Sequence, residues 1–589
     1  MRPSAGLLVF MLSFVLYLGV AAALVFGANV ILGDALSRVA SAYRILFSRD
    51  PHLAAIGFVW SPLPPLADLP LLLFKGIWPA LADRGFAGNI VSALFMAGSV
   101  YQLRALLMDL RVRGLLLAGL TAAFAFHPMI LFFGANGMSE ASEVFFLILA
   151  ARYFTRWLEN PGVAPLVGTG FAMGGAYLSR YEPLAGGFAV ITLVLAITYF
   201  RSRGTSSERG NAAFCDATLV AAPFLLAVGA WALTSLVITG HLFEQSTSAY
   251  GTTAQLNAIG ASKAGGLKSF MDGSLGIVSL EPLLLVVVLI AAVRILVKRD
   301  LRLLAPLGLL GSVVLFMLYA YVDAAVLRSL RYFIVAIPMT IILVGVLASP
   351  ARGRALVSVA RLTAGRRRGV TALSLLAIAG LLLSGPTAVH AMYDRSLNPS
   401  EAAVLGSVGA RVDPHTATDD QRRALHRYET EHAIARYIDR LGLPDGSVLV
   451  DDFSAFAVVL ASDHSRQFVI TADRDYEKIL AHPAQSGVRY ILVPSSQRLG
   501  VLDAIVRAYP GIYDTGANLG ELVQEFKQTG DTGIDWRLYR LTPSGTATVG
   551  APTLSPVIGL VNASAAGRPT PPPTLPVAGA GAARGVLGE

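Results

Sequence analysis

Apolar residues in this chain come in long runs, separated by short polar segments in which arginine recurs. Runs of about twenty residues match the hydrocarbon core of a bilayer, ~30 Å thick. The first extends from Ala5 to about Gly27, behind Arg2. Ala21-Ala22-Ala23 imitates a signal-peptide cleavage region, but the run exceeds the usual apolar stretch of about 7–15 residues and reads as an uncleaved span. Further spans are predicted near 87–107, 114–134, 141–155, 163–179, 184–200, 216–239, 276–297, 302–322, 332–349 and 370–391. The pattern therefore predicts a polytopic α-helical membrane protein with about eleven transmembrane helices, by that length criterion.

The polar segments fix the sides. With the N-terminus cytoplasmic, the inside loops hold Arg111 and Arg113, Arg152 and Arg156, and Arg201, Arg203 and Arg209. They also hold Lys298, Arg299 and Arg302, and finally Arg352, Arg354, Arg361 and Arg366 to Arg368. Every basic cluster in a short loop then lies on one side, as the positive-inside rule requires. The stretch Leu66 to Leu81 is interrupted by Asp68, Pro70, Lys75 and Pro79. Counting it as a span would reverse the sides, so it is predicted to be an interfacial or re-entrant helix in a first outer loop, 28–86.

Beyond the last span the periodicity changes. Strand-like runs at 447–451, 467–471 and 488–493 alternate with helical patterns at 455–461, 476–481 and 499–509. Strand–helix alternation predicts a small parallel α/β domain. The expected division is a membrane domain over 1–392, an extracytoplasmic α/β domain over 393–545, and a disordered Pro/Ala/Gly-rich tail over 546–589.

Composition agrees with lipid as the main solvent. Only 14% of the 589 residues are charged against 54% hydrophobic, and the mean hydropathy is +0.61. The net charge of +9 sits in loops between spans, which favours membrane topology over nucleic acid as its explanation. The single cysteine, Cys215, excludes an intrachain disulfide and a multi-cysteine metal site, and is expected to be a small buried residue.

Candidate chemistry lies in the outer loops. Asp34, in Gly33-Asp34-Ala35-Leu36-Ser37-Arg38, follows the first span directly. It is either placed for use at the membrane surface or caps the helix that begins there. The same loop supplies Arg38, Arg49, His52 and Trp60. The second outer loop places Glu140 and Glu143 in the first turn of a span, where the helix dipole accounts comfortably for one acid. Later outer turns carry Arg180 with Glu182, His241, and Arg328 with Arg331 and Tyr332. Outer arginines run against the general charge bias and are either snorkelling anchors or a bidentate phosphate clamp.

Together these residues resemble the GT-C superfamily of integral-membrane glycosyltransferases, such as protein O-mannosyltransferases and aminoarabinose transferases. Asp34 matches the acid after the first span, and Glu140 the second acidic site, after the third span. The resemblance covers roughly residues 1–390 as an order of spans and loops. Many relatives carry paired Asp-Glu in the first loop, whereas Ala35 follows Asp34 here, so no two-carboxylate metal site is implied at that position. The resemblance implies inverting transfer of a sugar from a polyprenyl-phosphate donor to a glycan, lipid or protein acceptor, at the outer face of the plasma (inner) membrane. Asp34 would act as general base, with Glu140 the second acidic residue of the catalytic site. The departing phosphate would be neutralised by Arg180, Arg328, Arg331 or a divalent metal ion.

The alternative class is a secondary transporter or lipid-handling membrane protein with a charged outer-leaflet pocket. Transporters show internal repeats and midplane charges, whereas the charges here gather at the outer lip.

Overall fold

The computed structural model describes residues 5–260, 266–349 and 364–542. The expected tail, 546–589, and Arg352, Arg354 and Arg361 lie outside the described residues. Among those described, six helices are long and apolar enough to cross a membrane. They are α1 (Ala5–Gly27), α4 (Phe86–Asp109), α8 (Pro183–Arg201), α9 (Ser206–Thr239), α12 (Leu301–Val322) and α13 (Leu330–Ala348). A seventh arises if α10 (Gly266–Leu280) and α11 (Leu284–Lys298), bent by 87° at Glu281-Pro282, count as one.

The other expected spans differ for local reasons. The run at 114–134 breaks after α5 (Gly114–Ala125), where His127 caps the short helix Pro128–Phe133 by accepting from Met129 N–H. Proline lacks the N–H that would continue the helix. The run at 141–155 lies in α6 (Glu140–Glu159), whose ends are charged, and that at 163–179 is α7 (Val163–Ser179), only 17 residues. The last falls in α14 (Ala364–Tyr393).

The first outer loop holds α2 (Gly33–Phe47) and α3 (Leu63–Leu72). Just past α3, Leu73, Phe74, Ile77 and Trp78 are exposed, an apolar edge suited to a lipid interface. Helix α9 begins with a capping box between Thr205 and Glu208. Its Phe214, Leu226, Leu233 and Val237 are exposed, and Cys215 is exposed with them rather than buried. On a face turned to lipid, a small thiol needs no protein core around it.

Charge gathers at both ends of the helices. Arg152 and Arg156 both pair with Asp109, at 2.7 and 2.9 Å. Arg302 and Arg294 share Asp300, each at 2.8 Å, and Arg302 lies 3.8 Å from Glu159. Helix α6 runs roughly 30 Å from this cluster to Glu140 at the other end.

The chain then continues through α15 (Pro399–Val412) and α16 (Glu429–Asp439) into a five-stranded sheet. Its strands are β1 (Val448–Leu449), β2 (Phe468–Val469), β3 (Tyr490–Pro494), β4 (Gly520–Phe526) and β5 (Trp536–Leu541), in the order β2-β1-β3-β5-β4. Strands β1, β2 and β3 are parallel, but β5 and β4 pair antiparallel, so the sheet is mixed rather than parallel. Helices α17 (Asp452–Ala461) and α18 (Tyr476–Ala481) connect the parallel strands.

This C-terminal part packs on the Glu140 end of the helices. Asn29 donates to Leu425 and Arg427 carbonyls at 3.0 Å, Arg44 pairs with Asp452, and Arg49 pairs with Asp473 at 3.0 Å and with Asp475. Impermeant thiol labelling of intact cells tests which side this is, in a Cys215→Ser background. Asp419 is highly exposed and suits a reporter. Asp419→Cys is expected to label, and Thr205→Cys and Gly365→Cys to stay protected. The reverse pattern would invert the topology.

Candidate functional site

Asp34 stands second in α2, whose N-cap is Leu32 with no side-chain capping bond. The carboxylate is therefore not the cap of its helix. It accepts from Arg331 Nη1 at 2.7 Å. Gly33 before it leaves room for the C-terminal part: a Cβ there would lie 3.2 Å from the Tyr428 hydroxyl. Tyr428 holds the left-handed φ of +64°, uncommon for a bulky residue.

Arg331 is carried by α13, whose apolar window is 89% buried, more than any other candidate span described. Ser329 caps this helix by accepting from Arg331 N–H at 3.2 Å. Its guanidinium lies 3.9 Å from Glu140 and 3.8 Å from Glu401, so one cation ties Asp34 to both acids. Glu401, from the start of α15, accepts from Ser329 at 2.7 Å. Among the described residues, buried Arg331 Nε nevertheless has no hydrogen-bond partner, nor do Glu140 Oε2 and Glu401 Oε2.

Arg180, just after α7, forms the second centre. It donates to Glu140 Oε1 at 2.6 Å and to Ser139 at 3.2 Å, pairs with Glu182, and lies 3.3 Å from Glu143. Ser139 precedes α6 without a side-chain capping bond, so its hydroxyl is free to accept from Arg180. Tyr332 lies under both guanidiniums, its ring 5.7 Å from Arg180 and 5.2 Å from Arg331. Arg38 stacks on Trp60 at 4.7 Å and donates to the Asp34 carbonyl at 2.9 Å.

The electrostatics follow from this pairing. Burial pushes the Asp34 carboxyl up, but Arg331 and Arg38 outweigh it and hold Asp34 below the usual carboxylate range. Burial likewise opposes the charge on Arg180, yet Glu140, Glu182 and Glu143 keep it above its ordinary value. For Glu401 burial prevails over Arg331 and raises the carboxyl, easing its protonation.

Asp34, Glu140, Arg38, Trp60, Arg180, Glu182, Arg331 and Tyr332 are thus linked in one cluster. The other four expected residues stand apart. Arg49 ties the first loop to Asp473 and Asp475 of the C-terminal part. His52 Nδ1 turns back to the Asp50 carbonyl at 2.7 Å. The His241 backbone closes the end of α9, its N–H and carbonyl both engaged by Thr239. Arg328 pairs with Asp272 at 3.1 Å. Each satisfies a local or long-range pairing demand, which a loop charge alone does not reveal.

Glu401 and Glu143 complete the cluster. Glu143 was visible as the second acid of the α6 first turn, and the only local sign of Glu401 is Asn398-Pro399 opening a helix.

Beside Asp34 opens a cavity of about 410 Å³, lined also by Phe58, Trp60, Glu244, Tyr250, Tyr428 and Phe453. Asp34 lies at the junction of cavity and arginine cluster. Among the described residues no group of three or more His, Cys, Asp or Glu is arranged to hold a metal ion. The acids that converge here do so on guanidiniums, so a resident metal does not fit them.

No family model and no curated protein sequence matches the chain. Among solved structures it is similar to the crystal structure of ArnT from Cupriavidus metallidurans bound to undecaprenyl phosphate. The identity is 14%, 90% of this chain and 97% of that chain are covered, and the TM-score is 0.48. It is also similar to the archaeal oligosaccharyltransferase AglB from Archaeoglobus fulgidus, in complex with an inhibitory peptide and a dolichol-phosphate. There the identity is 11%, the coverage 90% and 74%, and the TM-score 0.37.

Proposed function

We propose that the chain is a membrane glycosyltransferase that moves a sugar from a polyprenyl-phosphate donor to an acceptor hydroxyl at the Asp34 side of the membrane, with inversion. The observation that carries this reading is Arg331, which donates to Asp34 at 2.7 Å while its buried Nε, 3.9 Å from Glu140 and 3.8 Å from Glu401, makes no hydrogen bond among the described residues. A buried donor without a hydrogen bond costs about 1–3 kcal/mol, and a phosphate oxygen at hydrogen-bonding distance from the guanidinium would offset that cost.

The roles follow from charge. The donor phosphate takes the Arg331 guanidinium, with Arg180 behind it, and competes with Asp34 for the same N–H groups. Loss of that ion pair raises the basicity of Asp34 when the donor is in place. The acceptor hydroxyl then gives its proton to Asp34 as its oxygen attacks the anomeric carbon, and the phosphate leaves as an anion needing no general acid. Glu140 holds both arginines in register.

The direct test is incubation of purified protein with a panel of polyprenyl-phosphate sugars, reading release of free polyprenyl phosphate. Consumption of at least one donor is expected, and consumption of none with any acceptor extract would sink the reading. Arg331→Ala is expected to raise the donor KM at least tenfold, about 1.4 kcal/mol of lost binding. An unchanged KM would remove Arg331 from the phosphate site.

A further inference from the structure

The cavity beside Asp34 is built from two distant parts of the chain. The first outer loop and the 238–255 segment form one wall, and the C-terminal part closes it with Tyr428, Asp452, Phe453 and Phe456. Its volume falls in the range of small-molecule sites, about 300–1,000 Å³. Five carboxylates and two guanidiniums line it, and both guanidiniums are ion-paired. Arg44 pairs with Asp452, and Arg427 grips Asp531 through two bonds of 2.7 and 2.8 Å.

The remaining acids differ in state. Asp34 is held by Arg331. Glu431 accepts from Thr532 at 3.2 Å, and burial pushes its carboxyl above the ordinary range. Glu244 is 7% exposed and its Oε2 has no hydrogen-bond partner among the described residues. An anion in the cavity would thus meet five carboxylates and two guanidiniums that are already ion-paired, whereas a hydroxyl donor would find in Glu244 a carboxylate oxygen without a hydrogen bond among the described residues. Around it stand aromatic rings, with Tyr250 stacked on Phe453 at 4.9 Å.

We infer that this cavity binds the acceptor, and that the acceptor is a neutral carbohydrate. The inference rests on the glycosyltransferase reading above and names the substrate of the same site. A sugar ring has one face of C–H groups, which suits an aromatic wall, and an edge of hydroxyls that donate to carboxylates. A lipid tail would leave the cavity's carboxylates and hydroxyls desolvated without partners. A phosphorylated acceptor would meet five carboxylates against two guanidiniums that are already ion-paired. The charge therefore divides at Asp34, with the arginine cluster on the donor side and the acid-aromatic cavity on the acceptor side.

The test uses the purified full-length protein and a maltotriose bearing a diazirine. A neutral serine-containing peptide with the same photogroup serves as comparison. After irradiation, adducts are mapped by mass spectrometry. Trisaccharide adducts are expected within 54–60, 244–255 or 452–456, suppressed at least tenfold by excess unlabelled neutral oligosaccharide. Glu244→Gln, which keeps shape and removes the charge, is expected to cut labelling about tenfold.

Adducts only elsewhere, preferential labelling by the peptide, or labelling indifferent to competitor would each overturn the inference. The wild-type map decides the matter even if the variant fails to fold. Labelling does not require the donor, so the two readings separate. Cavity labelling without donor consumption would overturn the glycosyltransferase reading and with it the acceptor role, leaving a carbohydrate-binding cavity. Donor hydrolysis without cavity labelling would overturn the carbohydrate acceptor alone.

Discussion

Asp34→Asn is expected to lower sugar transfer by about 10²–10⁴-fold, the usual contribution of a positioned general base. The fold should tolerate the change. The Asp34 side chain makes no capping bond to α2, and asparagine keeps an oxygen that can accept from Arg331. Glu140 and Glu401 stay close enough to compensate that cation, at 3.9 and 3.8 Å. Release of polyprenyl phosphate by folded variant and wild type would be compared at saturating donor. A variant as active as wild type would place the base elsewhere, with Glu140 or Glu182 next in order.

Arg180→Ala should act on stability more than on chemistry. It leaves Glu140, fully buried, together with Glu143 and Glu182 without their shared cation. Removing one partner of a buried ion pair typically costs 3–5 kcal/mol, about the margin of a small domain. The expected result is a large fall in thermal unfolding temperature in detergent. Adding Glu140→Gln should recover part of it, because one uncompensated charge is removed. An unfolding temperature within a degree of wild type would show that the acids take up protons instead of remaining charged.

How much of this was legible depended on whether the signal was local. Asp34, Glu140, Arg180 and Arg331 stand at the ends of apolar runs, where charge is costly and basic residues contradict the side they lie on. Those are one-dimensional signals. The roles of Arg49 and Arg328 were not, because a loop arginine looks the same whether it meets a substrate or a distant carboxylate. For Arg49 the partner lies 424 residues away.

The helix breaks were written at Pro128 and Pro282, inside runs whose hydropathy overrode them. The hairpin of β4 and β5 escaped because Gly-Glu-Leu-Val-Gln-Glu-Phe, a half-exposed outer strand, has too little apolar alternation to announce itself. The ties between Asn29, Arg44 and the C-terminal part depend on the tertiary arrangement alone.

The contact between the first outer loop and the C-terminal part also sets an order of assembly. Asn29 meets its backbone partners only after some 396 further residues have been made. Arg44 waits longer still, for Asp452. Closing so long a loop is slow, and its partners must be synthesised first. During elongation the first outer loop therefore exposes Asp34, Arg44 and Arg49 before Arg331, Asp452 and Asp473 exist to meet them. A nascent chain truncated before Arg331 presents the acid without its cation, and one truncated before Tyr428 lacks the wall over Gly33. The site becomes whole only when the sheet docks, so an incompletely synthesised chain lacks the charge arrangement needed to bind donor and acceptor together.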